Sequence, residues 1–175
     1  INRISGFVQY SKKGFIGEHK IWWNFGIRGQ SWSVKANNNA VVNQFIFSPR
    51  AQFAIKPDWE KDMLFRVSGG IYSQPPFYKE LRGFDGTIIP DVKAQRSAHI
   101  VLGSDYSFTM WNRPFKWVTE VYYKNMSNLV PYEIENVRIR YFPERSAKGY
   151  AAGVDFRVNG EFVKGIDSWG SVSIF

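Results

Sequence analysis

Hydrophobic and polar residues alternate with a period of two along most of this chain, most clearly in its second half. From Tyr150 one side carries Tyr150, Ala152, Val154, Phe156 and Val158, and the other Ala151, Gly153, Asp155, Arg157 and Asn159. Successive side chains of a strand point to opposite faces, so this pattern predicts a strand with one apolar and one polar side. Val137, Ile139 and Tyr141 repeat it against Asn136, Arg138 and Arg140. Phe115, Trp117, Val121 and Tyr123 do so against Lys116, Glu120 and Lys124. Ile100, Leu102, Tyr106, Phe108 and Met110 oppose His99, Gly103, Asp105, Ser107 and Thr109. The first half follows with strands around Ile4–Tyr10, Ile21–Ile27, Phe45–Ile55 and Met63–Ile71, and a last stretch runs from Trp169 to Phe175. The pattern predicts about nine strands, each near ten residues long, and no helix longer than a turn. Pro49 falls inside one of these strands, where its missing N–H calls for a bulge.

The joins between these segments alternate in length. Pro57–Glu60, Asn112–Pro114 and Pro143–Ser146 are short and rich in turn formers, whereas Ser31–Ala40, Gln74–Gln95 and Asn125–Tyr132 are long. Short turns at one end and long loops at the other is the layout of an up-and-down transmembrane β-barrel. Aromatics near strand ends, such as Tyr10, Trp23, Trp111, Phe115, Tyr123 and Tyr141, stand where interfacial girdles form.

Composition sharpens this. Of the 175 residues 44% are hydrophobic and 18% aromatic, yet mean hydropathy is only −0.32. No apolar run is long enough for a membrane-spanning helix, but barrel strands need apolar residues only at alternate positions. The absence of Cys excludes disulfides, thiolate metal sites and a thiol nucleophile. The length by itself suggests one domain, and the Ile at position 1 points to processing or to a piece of something longer. The formal net charge of +8 comes from cations spread along the chain without a run longer than Lys12-Lys13, which argues against nucleic acid as a partner.

Candidate chemistry is sparse. His19 and His99 lack companions at metal-ligand spacing, and His99 on the polar face reads as a hydrogen-bonding group. Asp58, Glu60 and Asp62 sit in a turn without a calcium-loop pattern. Glu133 and Glu135 share a strand face, with Arg138 or Arg140 placed to neutralise neighbours. No catalytic triad order, phosphate loop or nucleotide motif is present, so no enzyme activity and no cofactor are expected.

Several local runs resemble a known family. Tyr72-Ser73-Gln74-Pro75-Pro76-Phe77-Tyr78-Lys79-Glu80-Leu81 resembles the Y-x-Q-P-P-x-Y-x-E-L segment of TonB-dependent receptors of the Bacteroidota type. Asp91-Val92-Lys93-Ala94-Gln95-Arg96-Ser97-Ala98-His99 is similar to their D-x-K-A-Q-x-S-x-H strand start, and Glu120-Val121-Tyr122-Tyr123-Lys124 to their E-x-Y-Y-K. Leu129–Tyr132, Asn136–Arg138, Gly149–Asp155, Gly160–Val163 and Asp167–Trp169 continue the likeness in order, from about Phe45 to Phe175. The resemblance implies a roughly 22-stranded outer-membrane barrel, closed by a plug and driven by TonB, that takes up a large nutrient such as a glycan, peptide or metal chelate. This chain departs from it in having no plug, no TonB-contacting segment and under half the strands. It reads as a partial barrel segment spanning residues 1–175, and Phe175 as a truncation point. The partners so implied are outer-membrane lipid, TonB through the missing N-terminal region, and a surface substrate-binding lipoprotein.

On that reading Arg66, Glu120, Arg138, Arg140, Asp155 and Arg157 line the barrel lumen and face the plug. Phe77, Tyr78, Glu80 and Arg82, with Phe84 beside them, belong to an extracellular loop that contacts ligand. A self-contained small outer-membrane barrel with a structural or adhesion role stays open, as does a soluble all-β module with aromatic platforms for sugars.

Overall fold

In the computed structural model, residues 1–35, 41–83 and 85–175 are described; the three consecutive Asn of the second join and Phe84 lie outside them. Eight long strands form one antiparallel sheet: β1 (Asn2–Ile16), β2 (His19–Lys35), β3 (Val41–Lys56), β4 (Asp62–Gln74), β5 (Gln95–Met110), β6 (Arg113–Leu129), β9 (Ala147–Val163) and β10 (Ile166–Ile174). Each pairs with the next in chain order, except that β6 pairs directly with β9. Between them β7 (Tyr132–Glu135) and β8 (Arg138–Tyr141) form a separate two-stranded hairpin. Among the described residues β1 and β10 are the outer strands of an open sheet, and the only helical piece is a 3-10 turn over Tyr78–Leu81.

The period-two pattern places side chains as expected, but it misassigns one segment. Val137, Ile139 and Tyr141 alternate like a strand of the main sheet, yet they sit in the β7–β8 hairpin. Its arms are four residues long, and Val137 at its turn is 95% exposed. Asn136 takes positive φ at that turn, a conformation Asn tolerates better than most residues. The turn expected at Pro143–Ser146 therefore belongs to a long excursion over residues 130–146. With that correction residues 17–18, 57–61, 111–112 and 164–165 turn at one end, and the long joins 75–94 and 130–146 lie at the other. The join between β2 and β3, expected to be long, is only the five residues 36–40, as many as 57–61, and lies outside the described residues.

Two further expectations change. Most strands are 13 to 17 residues long, well beyond ten, because Ser31–Lys35 and Asn125–Leu129 continue strands rather than starting loops. Pro49 makes no bulge: the β2–β3 register runs unbroken through Ile27↔Pro49. Instead the β3–β4 ladder begins only at Arg50↔Gly70, so the proline lies just outside it and a missing donor costs no bond of that ladder.

The sheet is inverted in polarity. On β5, Ile100 and Leu102 are 51% and 53% exposed, whereas Asp105 on the opposite face is 6% exposed. Other strands share the exposed apolar side, although Ile21 and Phe115 on it are buried and β1 is exposed on both faces. Ile4, Val8, Phe25, Ile27, Phe45, Phe47, Val121, Tyr123, Tyr150, Val172 and Ile174 form an exposed apolar face, continuous through the registers. The buried apolar cluster is small and lies at the long-loop end, where Trp32 and Val34 of β2 meet Leu81, Val92, Ala94 and Val130. An apolar surface this extensive is far larger than the patches soluble monomers expose.

Candidate functional site

The polar face holds the chemistry. Antiparallel register sets Arg66 of β4, Gly103 of β5, Glu120 of β6 and Asp155 of β9 in one row across the sheet. Because Gly103 has no side chain, the Arg66 guanidinium lies over it; a Cβ there would come within 3.2 Å of Arg66 Nε and Nη2. From that position Arg66 Nη2 donates to Asp105 Oδ1 at 2.8 Å and to Glu120 Oε1 at 3.0 Å. Lys116 Nζ approaches the other Asp105 oxygen at 2.6 Å. Asp105 is thus a buried carboxylate held between two cations, the arrangement that makes burying a charge tolerable.

Neighbouring groups extend the row. Arg157 donates from Nε to Asn159 Oδ1 at 2.8 Å and lies over the Trp169 ring, 5.1 Å from its centroid. His99 sits on the same face, its Nε2 2.6 Å from Ser97 Oγ and its ring stacked on Tyr72 at 4.5 Å. Arg66, Asp105, Lys116, Glu120, Asp155 and Arg157 line one groove of about 580 Å³ along β4, β5, β6, β9 and β10.

The first three strands differ in charge. Residues 1–56 hold eight Lys and Arg and a single acid, Glu18, so the even spread read along the chain conceals a strong imbalance. By register Arg3 and Lys13 of β1, Arg28 of β2 and Arg50 of β3 all stand on the polar face.

The β4–β5 loop, residues 75–94, folds over the long-loop end of this face. Arg3 donates to the Pro76 carbonyl and lies against the Phe77 ring. Gln44 donates to Val92 O at 3.1 Å and Asn128 to Ala94 O at 3.3 Å. Leu81, fully buried, anchors the loop against Trp32 and Val34. Glu80 is buried as well: its carboxylate accepts the Phe77 N–H at 2.8 Å and Gln95 Nε2 at 2.9 Å. Farther out, Asp85 accepts the hydroxyl of Thr87 at 2.6 Å and the Thr87 backbone N–H at 3.0 Å. These two bonds, the hydroxyl first, hold the Asp85 carboxyl below the usual carboxylate range.

Of the residues the sequence singled out, Arg66, Glu120, Asp155 and Arg157 come together on the polar face. Arg138 and Arg140 do not. They lie in the β7–β8 hairpin as cross-strand partners of Glu135 and Glu133, away from the sheet's rows. In the loop, Phe77 and Tyr78 are exposed, while Glu80 is consumed by the loop's own fold and Arg82 bridges to Ile88. Asp105, Lys116, Arg28 and Arg50 were not singled out. Alternation puts all four on the polar face, but only the register shows Arg50 between Gly26 and Gly70 and brings Asp105 between Arg66 and Lys116. Comparison with models of known protein families, with curated proteins and with solved structures found no match for this chain.

Proposed function

We propose that this chain is a segment of an outer-membrane β-barrel, and specifically of a TonB-dependent transporter that takes up a large nutrient. The observation that carries the membrane part is the polarity of the sheet, whose apolar face is extensively exposed while Asp105 on the charged face is buried between two cations. Lipid is the solvent that rewards such a face. The outward row of β5 from Ala98 to Met110 bears no charge. It is about 40 Å long at about 3.3 Å per residue, or about 28 Å across a tilt of about 45°. That matches an apolar band of about 25 Å. Phe108, Phe115, Trp111 and Phe162 cluster at the short-turn end, and Tyr123 stacks with Tyr150 toward the other, as two aromatic girdles would.

The transporter part rests on the ordered motifs from Phe45 onward and on the polar face with its mixed charges, suited to holding a plug. Barrel closure then takes strands beyond β1 and β10. The parent gene tests this: an upstream plug-coding segment and a TonB-contacting motif are expected, and an open reading frame without them overturns it.

A second reading is favoured by one observation. The main sheet has eight strands, the number that closes the smallest outer-membrane barrels. Cysteines introduced at Val8 and Val172 discriminate the two: efficient cross-linking within one chain supports a self-contained barrel, and its absence in folded protein supports the larger one.

A further inference from the structure

Cations of the polar face differ in their partners. Lys124 lies over the Tyr122 ring and Arg157 over that of Trp169. Arg66 with Asp105 and Glu120, Lys116 with Asp105, and Lys56 with Asp62 find acids. Arg28 and Arg50 do not. Arg28 donates to Ser5 Oγ at 3.4 Å and, with the Gln30 amide oriented to suit both neighbours, to the Gln30 carbonyl at 3.1 Å. Arg50 lies over the Tyr72 ring, 5.5 Å from its centroid. All these partners are neutral.

The register makes the two arginines neighbours. Arg28 pairs with Ser48 and Gly26 with Arg50, so Arg28 and Arg50 are diagonal partners on one face. Their Cα atoms are then about 7–8 Å apart. Gly26 between them and Gly70 beyond leave the backbone bare: a Cβ on Gly26 would stand 3.2 Å from the Arg50 side chain, and one on Gly70 2.9 Å from it. Arg28 and Arg50 line a cleft of about 230 Å³ with Phe7, Val8, Gln9, Gly26 and Ile27. Beside it Ser48 is buried, and its hydroxyl has no partner among the described residues. Among the described residues no ion pair joins Glu80, Asp85 or Asp91 of the β4–β5 loop to either arginine.

We propose that this cleft binds a small anion bearing carboxylate or phosphate groups, with Arg28 and Arg50 as its paired donors and Gln9 as a neutral one. Each guanidinium offers the planar fork that carboxylate and phosphate accept in a bidentate way. The cleft is sized for one small polyanion, and Phe7 gives it an apolar wall. Within the transporter reading, on which this rests, it makes the cargo or its charged end anionic.

The test uses the full chain refolded in detergent micelles, labelled with ¹⁵N-arginine and titrated with citrate and with inorganic phosphate. The Nε–Hε signals of Arg28 and Arg50 are expected to shift saturably, while those of Arg138 and Arg145 stay in place. Arg28→Gln or Arg50→Gln is expected to weaken citrate binding about tenfold or more, as loss of a charge-assisted hydrogen bond does. Lys148→Gln, the same charge change outside the cleft, is expected to leave it unaltered. Arg50→Lys guards against misfolding: it keeps the charge but loses the fork, and should bind with intermediate affinity. Absence of saturable shifts in folded protein overturns the proposal, as does binding of an acidic polypeptide such as polyglutamate without binding of citrate or phosphate. Failure of the transporter reading looks different, because it shows in the parent gene and leaves these titrations unchanged.

Discussion

At the residue scale the polar face depends on small residues placed opposite large ones. Arg66 reaches Glu120 across an intervening strand because Gly103 lets it pass. Gly103→Val is therefore expected to cost about 1–3 kcal/mol, the range for breaking charge-assisted contacts, measured by urea unfolding of the refolded protein. Asp105→Ala is expected to cost more, about 3–4 kcal/mol, because it leaves Arg66 and Lys116 without the carboxylate they share. The two effects should be less than additive, since both act on Arg66. Asp85 gives a pH test. Its folded pKa is depressed, so its bonds to Thr87 stabilise the turn above the ordinary carboxylate range and are lost as pH falls through the folded value. A ¹³C-carboxyl titration should find Asp85 below the usual carboxylate range. Thr87→Val should return it part of the way, because the backbone bond stays. An unchanged midpoint in that variant contradicts the assignment. Single residues were only partly legible in the sequence. Arg66, Glu120, Asp155 and Arg157 follow from alternation alone. Glu80 does not, because nothing in its neighbours tells whether a loop carboxylate turns outward to a ligand or back to Phe77 and Gln95.

At the element scale alternation finds strands but not their company. The β7–β8 segment has the same period two as its neighbours. It is separated from them only by arms too short to cross a sheet of strands four times their length. Since β6 pairs directly with β9, replacing Glu133–Arg140 by a short Gly-Ser link is expected to leave the melting temperature of the sheet within a few degrees of the parent. Loss of the folded, heat-modifiable form would show the hairpin to be structural. The β4–β5 loop behaves oppositely. Leu81 is its buried anchor, and Leu81→Ala is expected to cost about 2–5 kcal/mol and to open the loop to limited proteolysis while the strands stay protected. Proline was misleading for a related reason: a break inside a strand pattern can mark a bulge or the end of a partner, and only the register Arg50↔Gly70 tells which.

At the scale of the whole molecule, alternating polarity and alternating join length already implied a sheet with two unlike faces and two unlike ends. Which face is enclosed was beyond the sequence, since a soluble sandwich and a barrel show the same alternation. On β5 the structure exposes Ile100 and Leu102 and buries Asp105. The net charge is concentrated in the first three strands because acids, not cations, are unevenly spread along the chain. The central claim is that the exposed apolar face meets lipid. Because the chain has no Cys, single cysteines can be introduced without removing others. Spin labels at consecutive positions from Ala98 to Ser104, in protein reconstituted into bilayers, test it through their collision rates with oxygen and with a water-soluble nickel chelate. Ala98, Ile100, Leu102 and Ser104 should favour oxygen, while His99, Val101 and Gly103 should favour nickel, in strict alternation. Nickel accessibility at Ile100 and Leu102 equal to that of their neighbours would contradict the account.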